Sequence, residues 1–181
     1  MEYPQAYIDY LVFFHADRDY FECHEVLEEY WKEHPRDPFA QTWVGLIQIA
    51  VGLYHHRRGN LAGARKMLGS SLLRLHGEHV QQLGLDMGEL TKRISTITDR
   101  LQVSDLVEYE DIELPIADQL LLDLCKRECQ AHHKVWGNPS LMTDSSLIHK
   151  HTLRDRSGVI AERQKQALLK RKPRETDSPF I

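Results

Sequence analysis

Residues Phe39 to Arg58 are apolar on nearly every side of a helical projection, and no other stretch constrains the fold as strongly. A helix of that kind has to be surrounded by others, so the expected fold is all-α: a compact multi-helix bundle with a partly helical C-terminal extension. Gln41, Thr42 and Gln48 interrupt the run, which falls short of the roughly 20 apolar residues a membrane-spanning helix needs. The expectation is a protein with no membrane partner. One polar strip remains, with Gln41, Gln48 and His55 at seven-residue steps and Gly45 and Gly52 beside them. Glycine inside a helix costs about 1 kcal/mol relative to alanine, so this pair predicts close approach of another backbone.

The flanking segments supply the surrounding helices. Gln5 to Phe14 reads as a short helix packed by Tyr7, Ile8, Leu11 and Val12. Asp19 with Glu22 resembles a capping box, and Pro35 ends the helix that follows, over Asp19 to His34. Gly59-Asn60 reads as a stop and a new cap, followed by a helix from Leu61 to about His76 with a stripe of Leu61, Ala64, Leu68, Leu72 and Leu75. After a loop around Gln82 to Leu85, Asp86 and Glu89 start a helix with Leu90, Ile94, Ile97 and Leu101 on one face. Val107 to Pro115 alternates weakly, as a loop or one short strand. Asp118 to Trp136 is expected to be helical, Gly137-Asn138-Pro139 to be a boundary, and Val159 to Leu169 to form a terminal helix.

The expected organisation is a helical core over 1–105, an additional helix packed on it over 106–137, and a basic extension over 138–181. The formal charge of −4 conceals an asymmetry: residues 150–174 hold nine Lys or Arg against Asp155 and Glu162, a net +7, while residues 1–149 carry −9. An acidic core with a basic tail invites intramolecular or homomeric docking, and a homo-oligomer is the expected partner state. Nucleic acid is the rival partner for the tail, disfavoured by the lack of interleaved aromatics. Cys23, Cys125 and Cys129 are odd in number and lack disulfide-framework spacing, and the start carries an acidic residue where a signal peptide is basic. A cytoplasmic location follows as the expectation.

Three constellations carry chemistry. In the first, His24 and Glu28 fall between Trp31 and Phe21 on the helical projection, within the apolar arc, with Glu25 toward its edge. A carboxylate drawn toward a core needs compensation, from a hydrogen-bonded partner, a cation or a metal ion. Residues four apart are neighbours on a helix, so His24 and Glu28 could share one cation. They could equally be structural polar residues satisfied by Arg57, Arg58 or Gln48. The second is His55-His56-Arg57-Arg58-Gly59-Asn60, basic residues suited to the negative end of a helix dipole. If the long apolar helix packs antiparallel to the Asp19 helix, His24, Glu28, Gln48, His55, Arg58 and Asn60 could assemble one pocket with Trp31 as its wall. The third, Cys125, Cys129 and His132, shares a helical face and reads as buried cysteines rather than a zinc site.

The run Phe21-Glu22-Cys23-His24-Glu25-Val26-Leu27-Glu28-Glu29-Tyr30-Trp31, then Gly45-Leu46-Ile47-Gln48-Ile49-Ala50, then His55 through Asn60 with Gly63-Ala64, resembles the domain of unknown function 309 family. The resemblance spans roughly residues 10 to 80, implies a compact fold of a few helices, and implies no established activity. Residues after about 105 look like an extension found in part of the family. By position, the motif residues are His24, Glu25, Glu28, Trp31, Gln48, His55, Gly59, Asn60, Gly63 and Ala64.

The leading expectation is a helical binding or assembly module with a polar pocket around His24 and Glu28, since no nucleophile elbow, phosphate loop or complete zincin signature is present. The alternative is a metal-assisted hydrolase, with His24, Glu28 and His55 holding a divalent metal and Glu25 as general base. A second alternative is nucleic-acid binding through the tail.

Overall fold

The computed structural model describes residues 2–153, and over these the chain is all-α. The helices are α1 (Gln5–Val12), α2 (Tyr20–Glu33), α3 (Ala40–Arg57), α4 (Leu61–Arg74), α5 (Gly77–Gln82), α6 (Met87–Val103), α7 (Gln119–Ala131), α8 (Ser145–Ile148) and α9 (Lys150–Leu153). Among the described residues there is no strand, only an isolated antiparallel bridge between Leu85 and Ile116. One compact unit runs up to His149, and Lys150 opens a second. The expected helix Val159–Leu169 lies outside the described residues.

The bundle is built around α3, which packs against α2 on one side and α4 on the other. Its inward residues Trp43, Leu46, Ile49, Ala50 and Leu53 are all but inaccessible, as a helix apolar all round requires. Asp37 fixes the turn that delivers α3: its carboxylate accepts hydrogen bonds from the Trp43 indole (2.9 Å) and the Phe39 backbone N–H (2.7 Å). Aspartate and asparagine side chains cap the helices where the sequence places them. Asp19 accepts from the Glu22 N–H at 3.1 Å, Asn60 from Gly63 at 3.0 Å and Asp86 from Glu89 at 2.9 Å, each satisfying a donor the helix leaves orphaned.

The two glycines of α3 mark the contact with α4. A Cβ at Gly52 would stand 2.7 Å from the Leu68 side chain and 3.2 Å from its backbone nitrogen, and one at Gly45 would stand 2.9 Å from Leu75. Gly69, in the interior of α4, meets nothing within 4 Å. The same substitution therefore has opposite signs at two sites. Gly52→Ala is expected to lower stability by about 1–2 kcal/mol, because overpacking exceeds the helix-propensity gain. Gly69→Ala is expected to raise it by about 0.5–1 kcal/mol. Urea denaturation of the two variants checks both signs.

Three departures from the sequence reading have local causes. The first helix does not end at Phe14 as an α-helix but widens over Phe13–Asp17 into a π turn, closed by Arg18 in the left-handed region (φ 53°). α5 occupies Gly77–Gln82, a stretch without the apolar stripe that reveals longer helices. The helix expected to reach Trp136 stops at Ala131 because His133 takes a left-handed conformation (φ 55°), letting the Lys134 N–H bond the Cys129 carbonyl at 2.8 Å.

Candidate functional site

The aromatic contacts between α2 and α3 set their register. Tyr30 lies 5.7 Å from Trp43 and Phe21 lies 6.3 Å from Tyr54, ring centre to ring centre, so the helices run antiparallel. Gln48, between Trp43 and Tyr54, falls level with the turn between His24 and Glu28. Its Oε1 is buried and accepts no hydrogen bond from the described residues.

On α2 the buried line is Tyr20, Cys23 and Leu27. His24 and Glu28 stand roughly 70° and 110° from its centre at 100° per residue, and the structure corrects the expectation that they lie inside the apolar arc. Their side chains are 29% and 33% exposed, because Trp31 and Phe21, which bound that arc, are themselves only half-buried. Compensation for Glu28 comes from its own helix: Lys32 Nζ is 3.1 Å from its carboxylate and His24 Nε2 is 3.5 Å away. Arg57 plays no part, since it donates to the Arg18 carbonyl at 2.6 Å and the Ser140 hydroxyl at 3.2 Å.

His24 Nδ1 lies 3.1 Å from Glu25 Oε1, so the imidazole sits between two carboxylates. One ligand atom each from His24, Glu25 and Glu28 fall within 4.8 Å of one another. A zinc ion with bonds of about 2.0–2.2 Å spaces its ligands roughly 3.4 Å apart, a distance within reach of small rotamer changes here. The set supplies three protein ligands on one helical turn and leaves further positions to solvent or to a bound group.

His55 stands outside this group. Its Nδ1 is 3.0 Å from Asn60 Nδ2, and its ring closes on Gly63 at the start of α4. Burial, aided by the neighbouring Arg58 charge, lowers its pKa. Asn60 is engaged on both ends, as the α4 cap and as the partner of His55. Arg58 lies over the Tyr54 ring at 5.4 Å. The expected six-residue pocket thus separates into the α2 face and a structural corner between α3 and α4. The third constellation reads as expected: Cys125 and Cys129 are buried free thiols, and His132 is exposed and bonded to Glu128 at 2.9 Å.

A second polar centre has no counterpart in the sequence reading. His15 and Arg18, 1% and 2% exposed, both engage the Glu113 carboxylate. Arg18 also donates to the carbonyls of Asn138 (2.8 Å), Ile112 (2.9 Å) and Phe14 (3.3 Å). The His15 ring stacks on Trp136 at 4.4 Å. Alongside, the Tyr20 and Tyr109 hydroxyls lie 2.7 Å apart, and Tyr109 donates to Asp111 at 2.7 Å, which also accepts from the Ser140 N–H at 2.6 Å. Burial pushes Tyr20 up to about 12. Burial lowers the His15 pKa, with Glu113 opposing. It works to raise Asp111 and Glu113, but hydrogen bonds from Ser140 and Tyr109 on one, and from His15 and Arg18 on the other, hold both below the usual carboxylate range. Two signals mark this centre in the sequence: the ionisable run His15-Ala16-Asp17-Arg18-Asp19 directly after an apolar helix, and the alternation of Tyr109, Asp111 and Glu113 with the outward Glu108 and Glu110.

The chain belongs to the family described as Domain of unknown function (DUF309), whose model matches residues 7–67, from α1 to the first half of α4. Along nearly its whole length it is similar to "Uncharacterized protein YpuF" of Bacillus subtilis (strain 168), at 49% identity over 175 residues, 96% of this chain and 99% of that protein. A more distant match is an "Uncharacterized protein" of Aquifex aeolicus (strain VF5), at 22% identity over 92 residues, 51% of this chain and 28% of that one. No solved structure matches it significantly. No helix among the described residues is long and apolar enough to cross a membrane.

Proposed function

We propose that the chain is a helical binding and assembly module whose α2 face, His24, Glu25 and Glu28, takes a divalent cation or a cationic group of a partner. The observation that carries this is the convergence of one imidazole and two carboxylates within 4.8 Å, with side chains 29–34% exposed. Such a set is accessible to a ligand and rich in acceptors. The hydrolase reading is less well supported: Glu25, its general base, stands among the ligands, and His55, its third ligand, faces Asn60. Nucleic-acid binding by the tail concerns residues mostly beyond those described and predicts an affinity that falls steeply with salt.

Calorimetry with Zn²⁺ and Mn²⁺ tests the proposal. Wild type is expected to bind one equivalent, and Glu28→Gln to weaken binding at least about tenfold; equal binding by both would count against it. We take the cytoplasm as its compartment, in keeping with three free cysteines. Assembly is expected to be homomeric, through apolar side chains left in water such as Leu73 and Val103, each 85% exposed. Sedimentation equilibrium reads the mass directly, and a monomer at all concentrations would remove the assembly half of the proposal.

A further inference from the structure

We infer that the cleft at the C-terminal end of α3 is a binding site for a small organic monoanion, a carboxylate head on an apolar body. The cleft has a volume of about 640 Å³ and is lined by Arg57 and His56, with Leu61, Leu106, Val107 and Met142 among the apolar contributors. It is separate from the α2 face.

Arg57 is the group that asks for a ligand. It is 5% exposed, and its guanidinium lies 4.7 Å over the Tyr20 ring. Nη1 is committed to the Arg18 carbonyl and the Ser140 hydroxyl. Nε and Nη2 are buried and have no hydrogen-bond acceptor among the described residues. These two nitrogens form one edge of the guanidinium, the fork that takes a carboxylate through two parallel hydrogen bonds. A guanidinium cannot shed its charge, so buried donors without acceptors are a standing cost that an anion would offset.

The remaining lining defines the rest of the ligand. His56 has Nε2 on the Val107 carbonyl at 3.1 Å and its pKa is lowered by burial, so it adds a neutral wall rather than a second cation. The lining carboxylates, Asp105 and Glu108, belong to exposed residues, and Asp105 is paired with Arg65. They disfavour a multiply charged anion such as phosphate. Leu106, 91% exposed, and Met142, 53% exposed, are apolar side chains that a ligand body would cover. Arg57 is among the lining residues and only 5% exposed, so the head is expected to reach its fork by displacing Met142, the unbranched side chain of the lining. A second cleft, about 610 Å³ and lined by Asp9, Glu128, His132 and Lys134 among others, offers no such demand. Its charged groups are already paired, Asp9 with Gln5, His132 with Glu128 and Lys134 with Asp17.

The test is titration of the full chain with octanoate, octanol and inorganic phosphate, followed by calorimetry. Octanoate is expected to saturate one site, with octanol and phosphate at least about tenfold weaker. Arg57→Lys keeps the charge without the fork, and is expected to weaken octanoate about tenfold while leaving octanol unchanged. Should that variant fail to fold, Leu106→Asp at the exposed rim decides, with octanoate weakened if the site is as described and undiminished if it is not. No saturable octanoate binding, or octanol or phosphate binding as tightly as octanoate, would overturn the inference.

Discussion

Arg18→Met is expected to cost about 3–5 kcal/mol of stability, the range for breaking a buried charge network by removing one partner. The substitution roughly keeps the side-chain length, so the loss is one of polar interactions. Arg18 serves three main-chain carbonyls and the Glu113 carboxylate, all from a position 2% exposed. Without it the three carbonyls lose this donor, each adding a penalty, and the Glu113 carboxylate keeps only His15 among the described residues. Glu113 is nearly half exposed, which screens its share and argues for the lower end of the range. The left-handed backbone at residue 18 is as strained for methionine as for arginine and does not contribute to the difference. Urea denaturation followed by Trp136 fluorescence reads the effect where it arises, since Trp136 stacks on His15 beside the lost guanidinium. A loss below about 1 kcal/mol would mean the centre is peripheral.

Acidification is expected to destabilise the protein in two steps. The folded pKa values of His15, His55 and His56 are lowered by burial, so the unfolded chain binds protons more readily, starting near the ordinary histidine value of about 6.5. Their contribution is whole above that value and is lost as the pH falls through it toward the folded values. Asp111 and Glu113 are likewise lowered; their contribution persists above the ordinary carboxylate range and fades below it. Around His15 the facing charges are Glu113, Arg18 and Arg93, the last donating to the Glu113 carbonyl at 2.5 Å. Two of the three oppose an imidazolium. Between pH 7.5 and 5.5 the unfolding free energy should drop, with each histidine contributing at most about 1.4 kcal/mol per pH unit. His15→Gln, which cannot titrate, should flatten part of that slope. Stability that is constant or rises over this interval would contradict the assignment.

What was legible in the sequence follows from periodicity and caps. The stripe of Leu90, Ile94, Ile97 and Leu101 is buried throughout, and Asp19, Asn60 and Asp86 cap the helices they precede. Gly45 and Gly52 indicated the close approach of α4, because an absent Cβ in a helix interior has few other uses. The π turn was not legible, since one extra residue in a helical turn leaves the apolar pattern of Tyr10, Leu11 and Phe14 intact. The early end of α7 was hidden because it rests on a left-handed histidine rather than on glycine or proline. The Arg18 centre escaped for a third reason: apart from the Phe14 carbonyl, the partners of Arg18 lie 94 to 120 residues away in the chain, and no local pattern couples them. At the α2 face the residue types were legible and the depth was not. Depth depended on whether Trp31 and Phe21 were fully covered by α3, a property of packing rather than of the projection.

The most direct measurement is the ¹⁵N chemical shift of the histidine ring nitrogens as Zn²⁺ is added. At one equivalent the His24 ring nitrogens are expected to shift and those of His55, held by Asn60, to stay in place. Silence at His24, or a shift that appears first at His55 or His132, would contradict the proposed site.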